Sequence, residues 1–490
     1  MDNRELKTAA VSSLLWKLME RGGSAMIQLV VQVVMARLLA PEQFGALAIM
    51  LVFVNVGNVV VQSGLNTALI QAKDVDNRDY STVFWMCASI STVIYLAIFF
   101  SAPSIADFYG LPYMIWPLRG IGFIVVINAY NSIQIAKVTR DLQFRKTFVS
   151  TLCSVVLSAI FGISAAVVGL GLWALVIQQL VYQLVGCIVL AFEVDWKPAL
   201  CFDKVRAKEF FGFGWRLLAS GLLNTVYQSL GNLVIGKQFS SSQLGLVSQG
   251  EKYPQAVGSM LDGAIQPVML SAVAHVQDDM DAVKRLVRRA LKTSTYLIFP
   301  AMTLFAVISP TLIPSLLGEQ WRSSVPFLQI YCFVYALLPI HTTNLQALNG
   351  MGRSDVFLRL EVIKKGYGLV NLLFCAFVLQ DVHLLVLSYM ITGLISTFVN
   401  AAPNKKVIGY SYVEQVMDIM PACVLSLVSG ALACAVPGIV RGTLLVVTAQ
   451  MLTFIAAYLS LSSLFKIEAF TYVLKMAKNG FSAKREHIQR

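Results

Sequence analysis

The chain has 490 residues, 57% of them hydrophobic and 13% charged, with a mean hydropathy of +0.70. A soluble domain is nearer a quarter charged, so a string of soluble domains is excluded and most of the surface must face lipid. The formal charge of +12 comes from 38 Lys and Arg against 26 Asp and Glu; it suits an anionic membrane surface or an acidic substrate, and a lipid-embedded chain is not expected to bind nucleic acid.

A bilayer core of ~30 Å takes about 20 helical residues. Spans are expected near 12–38, 43–70, 80–101, 113–136, 147–169, 172–193, 213–236, 243–270, 290–313, 325–348, 356–379, 383–402, 417–436 and 441–465, about fourteen in all. Spans 1 and 11 carry several charges, and twelve spans is the alternative. The organisation that follows is a cytoplasmic N-terminus (1–11), an N-lobe of six spans (12–193) and a cytoplasmic linker (194–212). A C-lobe of six spans (213–402), two further spans (403–465) and a basic cytoplasmic tail (466–490) complete it. The first apolar stretch is too long for a cleavable signal and lacks a small-residue cleavage site.

Orientation follows from Lys and Arg in the connections. With the N-terminus inside, one set of connecting segments holds 26 cations and the other only Arg37, Lys237, Arg322 and Arg441. Both termini are therefore expected in the cytoplasm, and the number of spans is even. The outer connections are short, the first being "APEQ", which leaves no room for an outer catalytic domain. On the inner side "DDMDAVKRLVRRALK" alternates apolar and basic faces and reads as an amphipathic helix lying on an anionic leaflet. The tail "KMAKNGFSAKREHIQR" reads likewise or as disordered.

The eight cysteines have no CxxC pair, and the four histidines form no HExxH or other cluster, so neither a metal site nor a redox pair is expected.

Internal similarity decides the architecture. "ARLLAPEQFGALA" and "GKQFSSSQLGLVS" place a cation, a glutamine and a glycine at a constant offset of 200: Arg37 and Lys237, Gln43 and Gln243, Gly45 and Gly245. Trp16-Lys17-Leu18 is echoed by Trp215-Arg216-Leu217, and "RDLQFR" by "RSDVFLR". Spans 1–6 thus repeat as spans 7–12, and six spans being even, the repeats are parallel. Transporters built this way bind substrate near the midplane between halves and expose it alternately.

At this point the sequence resembles a known family, the polysaccharide-transporter branch of the multidrug/oligosaccharidyl-lipid/polysaccharide exporter superfamily, in its colanic-acid and teichuronic-acid type. The resemblance rests on "ARLLAPEQFGALA", "SGLNTALIQAKD", "GWRLLASGLLNTVYQSLGNLVIGK", "QPVMLSAVAHVQDD" and "FPAMTLFAVISPTLIPSLLGEQWRSSVPFLQI", and it extends over nearly the whole chain. It implies an all-α integral membrane protein of about 14 helices in a V-shaped bundle, two six-helix pseudo-repeats plus two C-terminal helices. It also implies a flippase that moves undecaprenyl-diphosphate-linked oligosaccharide units from the inner to the outer leaflet of a bacterial inner membrane, for exopolysaccharide or lipopolysaccharide synthesis. Membrane lipids, and a polysaccharide polymerase or co-polymerase, are the implied partners.

Charges inside the spans are the candidate site. A charge at mid-bilayer costs ~2.5–3.5 kcal/mol on insertion scales, so such groups face a wet interior, pair, or snorkel. Lys17, Arg21, Arg119, Arg216, Lys252 and Lys364 are the cations expected in a central cavity, where they would offset the desolvation of a diphosphate. Glu20, Glu251, Asp262 and Glu361 are expected as ion-coupling groups or as counter-ions. Amides at spacings of three and four form stripes: Asn55, Asn58, Gln62 and Asn66; Asn128, Asn131 and Gln134; Asn224, Gln228 and Asn232. Interhelical hydrogen bonding accounts for such stripes as readily as a sugar-binding lumen does. No nucleotide-binding motif occurs, and no cofactor is expected; a proton or sodium gradient is the energy source left open. The rival readings are a drug or cation exporter of the same superfamily, a peptidoglycan lipid-precursor flippase, and an enzyme. The short outer loops argue against the last.

Overall fold

The computed structural model describes residues 3–475 apart from 63, 73 and 441; the side chains of 3–15, 17, 18 and 21 also lie outside the described set. The described chain is all helical, and its contacts divide it into two compact units, 1–245 and 246–490. Among the described residues twelve helical segments are long and apolar enough to cross a membrane. Two more helices are long enough but more polar: α1 (Asn3–Leu38) and α9 (Lys204–Gln238). Among the described residues α1 contributes a shorter apolar stretch, Gly22–Leu38. Twelve, not about fourteen, is therefore the number that meets the length and hydropathy of a span among the described residues; α9 falls short because Asn224, Gln228 and Asn232 stand where the other helices carry Leu and Val.

The first unit holds α1, α2 (Pro41–Gln62), α3 (Leu65–Gln71), α4 (Asn77–Tyr109), α5 (Ile115–Gly122), α6 (Ile124–Arg140), α7 (Phe144–Val167), α8 (Leu172–Glu193), α9 and the start of α10 (Ser241–His275). Its tightest pairing is α7 against α8. Ser150, Ser154, Ser158 and Gly162 recur every four residues on α7 and are all buried. Small side chains let the backbones approach, as lipid-embedded helices require when no hydrophobic force drives them together. Ser150 Oγ donates to the Gly186 carbonyl at 2.9 Å, and Gly162 faces the stem of Gln178.

The segment 194–203 is an ordered strap along the start of α4. The Ala199 amide donates to Ser81 Oγ at 3.0 Å, the Asp203 amide to Thr82 Oγ1 at 3.1 Å, and Trp85 Nε1 to the Ala199 carbonyl at 2.9 Å. Trp196 is 4% exposed among Tyr80, Phe84 and Tyr130. Arg206, in the first turn of α9, closes the strap with two bonds of 2.8 Å to the buried Asp79 carboxylate and one of 2.9 Å to the Asp74 carbonyl.

The second unit holds most of α10, then α11 (Met280–Leu317), α12 (Val325–Ala336), α13 (Leu338–Gly350), α14 (Ser354–Phe374), α15 (Val382–Val407), α16 (Tyr412–Cys434) and α17 (Thr443–Leu464), with a short helix at 468–475. The Gly-Glu-x-Trp turn after α11 needs its glycine, since Gly318 has φ +108°, and it seats Trp321 at 0% exposure. The amphipathic stretch at 280–292 does not form a separate surface helix. It is the first three turns of the continuous 38-residue α11, because Lys284, Arg288 and Lys292 have carboxylate partners in the second unit rather than lipid head groups. Lys284 pairs with Glu414 at 3.0 Å, and Arg288 holds both oxygens of Asp418 at 2.6 and 2.8 Å. Lys292 reaches Asp418 at 3.3 Å and Glu468 at 2.8 Å; the bond from Lys292 keeps the Glu468 carboxyl below the usual range. Of the basic tail, residues 476–490 lie outside the described residues.

The repeats are visible in the backbone. The segments holding α5–α6 and α12–α13 each begin with a 3-10 turn and each break inside the span, at Phe123 and at Leu337. Both end in the same three-bond turn. Asp141, Leu142 and Gln143 amides donate to the carbonyls of Lys137, Thr139 and Val138; Met351, Gly352 and Arg353 amides donate to Ala347, Asn349 and Leu348. The offset is 210 throughout, and the middle residue is left-handed in both, φ 55° at Leu142 and 72° at Gly352. The lettered echo "RDLQFR"/"RSDVFLR" is therefore three to four residues out of structural register, while the repeat itself is real.

Candidate functional site

The amide stripes of spans 2, 4 and 7 converge in the first unit. Asn55, Asn58 and Gln62 lie on one face of α2, and Thr225, Gln228 and Ser229 on one face of α9. Together with Val59 they line a cavity of about 350 Å³. Asn55 and Gln228 are exposed, and Asn58 and Gln62 half-buried. From α6, Asn128 Nδ2 donates to Asn58 Oδ1 at 3.0 Å, so one amide of the wall is held by its neighbour while its companions stay available. Six of the seven lining side chains are uncharged hydrogen-bonding groups, a wall chemistry suited to hydroxyl-rich cargo. Asn66, Asn131 and Gln134 do not line this cavity. Asn131 and Gln134 are buried in α6, so part of the span 4 stripe serves packing.

The predicted charges go to several places. Lys17 and Arg21 lie outside the described residues. Their neighbour Glu20 accepts from Thr147 Oγ1 at 3.0 Å and Thr151 Oγ1 at 3.3 Å, both on α7. Arg119 sits one turn into α5. Its Nε donates to the Phe99 carbonyl at 3.1 Å, and the guanidinium lies 4.3 Å from the Phe99 ring and 4.8 Å from that of Trp116. Trp116 is 64% exposed, so this is an aromatic anchor of the type found at membrane boundaries. Arg216 is exposed, with its guanidinium 5.7 Å from the Trp215 ring.

In the second unit, Glu251 accepts from Tyr335 Oη at 2.9 Å, whereas Lys252, about 100° further round α10, is exposed. Asp262 accepts from Thr342 Oγ1. Lys364 pairs with Glu361 one turn away. The structure thus couples Glu361 to Lys364 and assigns hydroxyl donors to Glu20, Glu251 and Asp262.

One constellation was not anticipated. His341 on α13 meets Asn400 Nδ2 on α15 at 3.0 Å. Asn404, one turn on, donates to Asn344 Oδ1 at 2.5 Å, and Asn344 donates to Gln415 Oε1 on α16 at 2.9 Å. Asn344, Asn400 and Asn404 are fully buried. The i, i+3 spacing of His341 and Asn344 and the i, i+4 spacing of Asn400 and Asn404 could have flagged two facing stripes, but Gln415 offers no such pattern.

Comparison with known proteins fits this geometry. The family model described as "Polysaccharide biosynthesis protein" matches residues 34–326. The succinoglycan biosynthesis transport protein ExoT of Rhizobium meliloti (strain 1021) is 24% identical over 342 residues, 70% of this chain and 69% of that one. The lipopolysaccharide biosynthesis protein WzxC of Escherichia coli (strain K12) is 22% identical over 423 residues, 85% of each. Among solved structures, the lipid II flippase MurJ in an inward closed conformation matches with a TM-score of 0.74 at 13% identity, over 93% of this chain and 98% of that one, a likeness of fold. Matched over more than half its length, this multi-pass membrane chain belongs to the polysaccharide biosynthesis protein family.

Proposed function

We propose that the chain is a flippase, not an enzyme, that carries undecaprenyl-diphosphate-linked oligosaccharide repeat units from the inner to the outer leaflet of a bacterial inner membrane. The observation that carries this reading is the amide-lined cavity of α2 and α9 in a chain that is otherwise 57% hydrophobic. Family membership and the similarity to ExoT and WzxC, proteins of succinoglycan and lipopolysaccharide biosynthesis, support it.

In the proposed mechanism the sugar hydroxyls exchange water for the amides of Asn55, Asn58, Gln62 and Gln228, each net bond being worth about 1 kcal/mol. In the first unit the exposed Arg216, with Lys17 and Arg21, offsets the diphosphate charge; in the second unit the exposed Lys252 is the candidate cation. Lys364, balanced by Glu361, and Arg119, held by Phe99 and Trp116, serve the cargo less directly. The isoprenoid tail stays among the lipids. Movement uses the parallel repeats in alternating access, driven by a proton or sodium gradient, with Glu20, Glu251 and Asp262 as the groups that exchange the ion. Both termini are cytoplasmic, in keeping with the 26-to-4 division of cations, and a polysaccharide polymerase takes up the delivered unit. Deleting the gene in its own cell should accumulate unpolymerised lipid-linked units on the inner face. Accumulation on the outer face instead would mark a polymerase and contradict this reading.

A further inference from the structure

Beside the ion pairs of α11 lies a second, smaller cavity, of about 180 Å³, in the second unit. Arg289, Lys292 and Thr293 of α11 form one wall, and Glu468, Thr471, Tyr472 and Lys475 of the short helix at 468–475 form the other. Three cations therefore face one carboxylate. Glu468 is engaged by Lys292 at 2.8 Å. Arg289 instead lies 5.4 Å from the Tyr472 ring, which orients the fork of its guanidinium. Arg289 and Lys475 are both exposed.

The depth of the cavity is set by α11. Thr293 to Leu317 is 25 residues, roughly 37 Å at 1.5 Å per residue, a little more than the ~30 Å hydrocarbon core. Arg289 and Lys475 thus stand at head-group level, on the cation-rich side of the membrane. The end of α17, the turn that follows it and the short helix itself present Leu464, Phe465 and Leu474 at 72, 63 and 43% exposure, apolar groups suited to acyl chains. The volume admits a phosphate with its ester carbons but not a sugar repeat unit.

We propose that this cavity binds the phosphate of an anionic phospholipid, and that the lipid clamps the helix at 468–475 to α11. Arg289 supplies a bidentate contact, Lys475 a point charge, and the Thr293 and Tyr472 hydroxyls further donors. The site is separate from the amide-lined cavity and does not depend on the identity of the cargo.

The full chain in nanodiscs of phosphatidylcholine, with a rising fraction of phosphatidylglycerol, tests this by native mass spectrometry and thermal unfolding. The wild type should retain a phosphatidylglycerol molecule and unfold at a higher temperature as the fraction rises. Arg289→Gln and Lys475→Gln should each raise the half-saturating fraction roughly fivefold. Arg289→Lys should recover most of the retention, and Lys405→Gln, at an exposed cation elsewhere, should behave as wild type. Equal retention in wild type and both Gln variants overturns the proposal. So does full replacement of the lipid's effect by inorganic phosphate in pure phosphatidylcholine, which would assign the cavity to a soluble phosphate.

Discussion

Gly45 and Gly245, two hundred residues apart in sequence, touch each other, and they do so reciprocally. A methyl group on Gly45 would lie 1.7 Å from the Ser241 carbonyl oxygen, and one on Gly245 would lie 1.9 Å from the Pro41 carbonyl oxygen. Pro41 and Ser241 are themselves the first residues of α2 and α10. Residue 45 meets 241 while 245 meets 41, the self-complementary pattern of a twofold contact, here written into one chain. The glycines are required because backbone meets backbone with no room for a side chain.

That symmetry has a thermodynamic consequence. Gly45→Ala and Gly245→Ala should each push α2 and α10 apart and destabilise the protein by about 1–3 kcal/mol, as overpacking does. Because one separation relieves both clashes, the double variant should cost clearly less than the sum of the singles. Denaturant titration in detergent measures this; strict additivity would contradict the reciprocal contact.

The amide-lined cavity separates a binding role from a packing role at two residues. Gln228 is exposed, so Gln228→Leu should leave stability unchanged and slow cargo movement about tenfold, the equivalent of one or two lost hydrogen bonds. Asn58 is bonded to Asn128, so Asn58→Leu should slow movement and also lower stability by about 0.6–1.7 kcal/mol. Parallel transport assays and melting curves distinguish the two. A stability loss at Gln228 equal to that at Asn58 would argue for packing alone.

Asp418 should be the most sensitive carboxylate of the second unit. Its side chain is 6% exposed and accepts from Arg288, Lys292 and Tyr410, the last at 2.8 Å. Asp418→Asn strands Arg288 and leaves Lys292 with Glu468 alone, and should cost about 3 kcal/mol, at the low end for breaking a buried pair because Arg288 is half-exposed. Glu319→Gln, which breaks the exposed pair with Arg322, should cost under about 1 kcal/mol. Chemical denaturation of both variants checks the contrast.

The strap at 194–203 should be releasable. Trp196→Ala removes the aromatic that seats it and should cost about 3–5 kcal/mol locally, and Asp79→Asn weakens the Arg206 closure. Limited proteolysis should then cut within 194–203 in both variants while the wild type resists. Cleavage at equal rates in all three would show that the strap is not held by these contacts.

Much of this was legible in the sequence. Helix periods, short connections and the 200-residue offset are local or periodic signals, and the Gly45–Gly245 contact shows that the offset was a true symmetry relation. The amide stripes were visible for the same reason, being defined by spacing within one helix. What spacing cannot reveal is the partner. Arg119 was readable as a cation inside an apolar span, but its acceptor is a carbonyl 20 residues away and its neighbours are rings. The basic run at 280–292 has the pattern of a surface helix, yet its carboxylates come 130 and 176 residues later. The ladder around His341 unites residues of three helices, none conspicuous alone.

The central claim is most directly tested by reconstituting the purified chain in proteoliposomes loaded with a fluorescent undecaprenyl-diphosphate oligosaccharide and following its exposure on the opposite leaflet. The account predicts movement by the wild type, about tenfold slower with Gln228→Leu, and little for the same isoprenoid diphosphate without sugar. Equal rates for wild type and Gln228→Leu, with the sugar-free lipid moved as fast, would show that the amide-lined cavity does not handle the cargo.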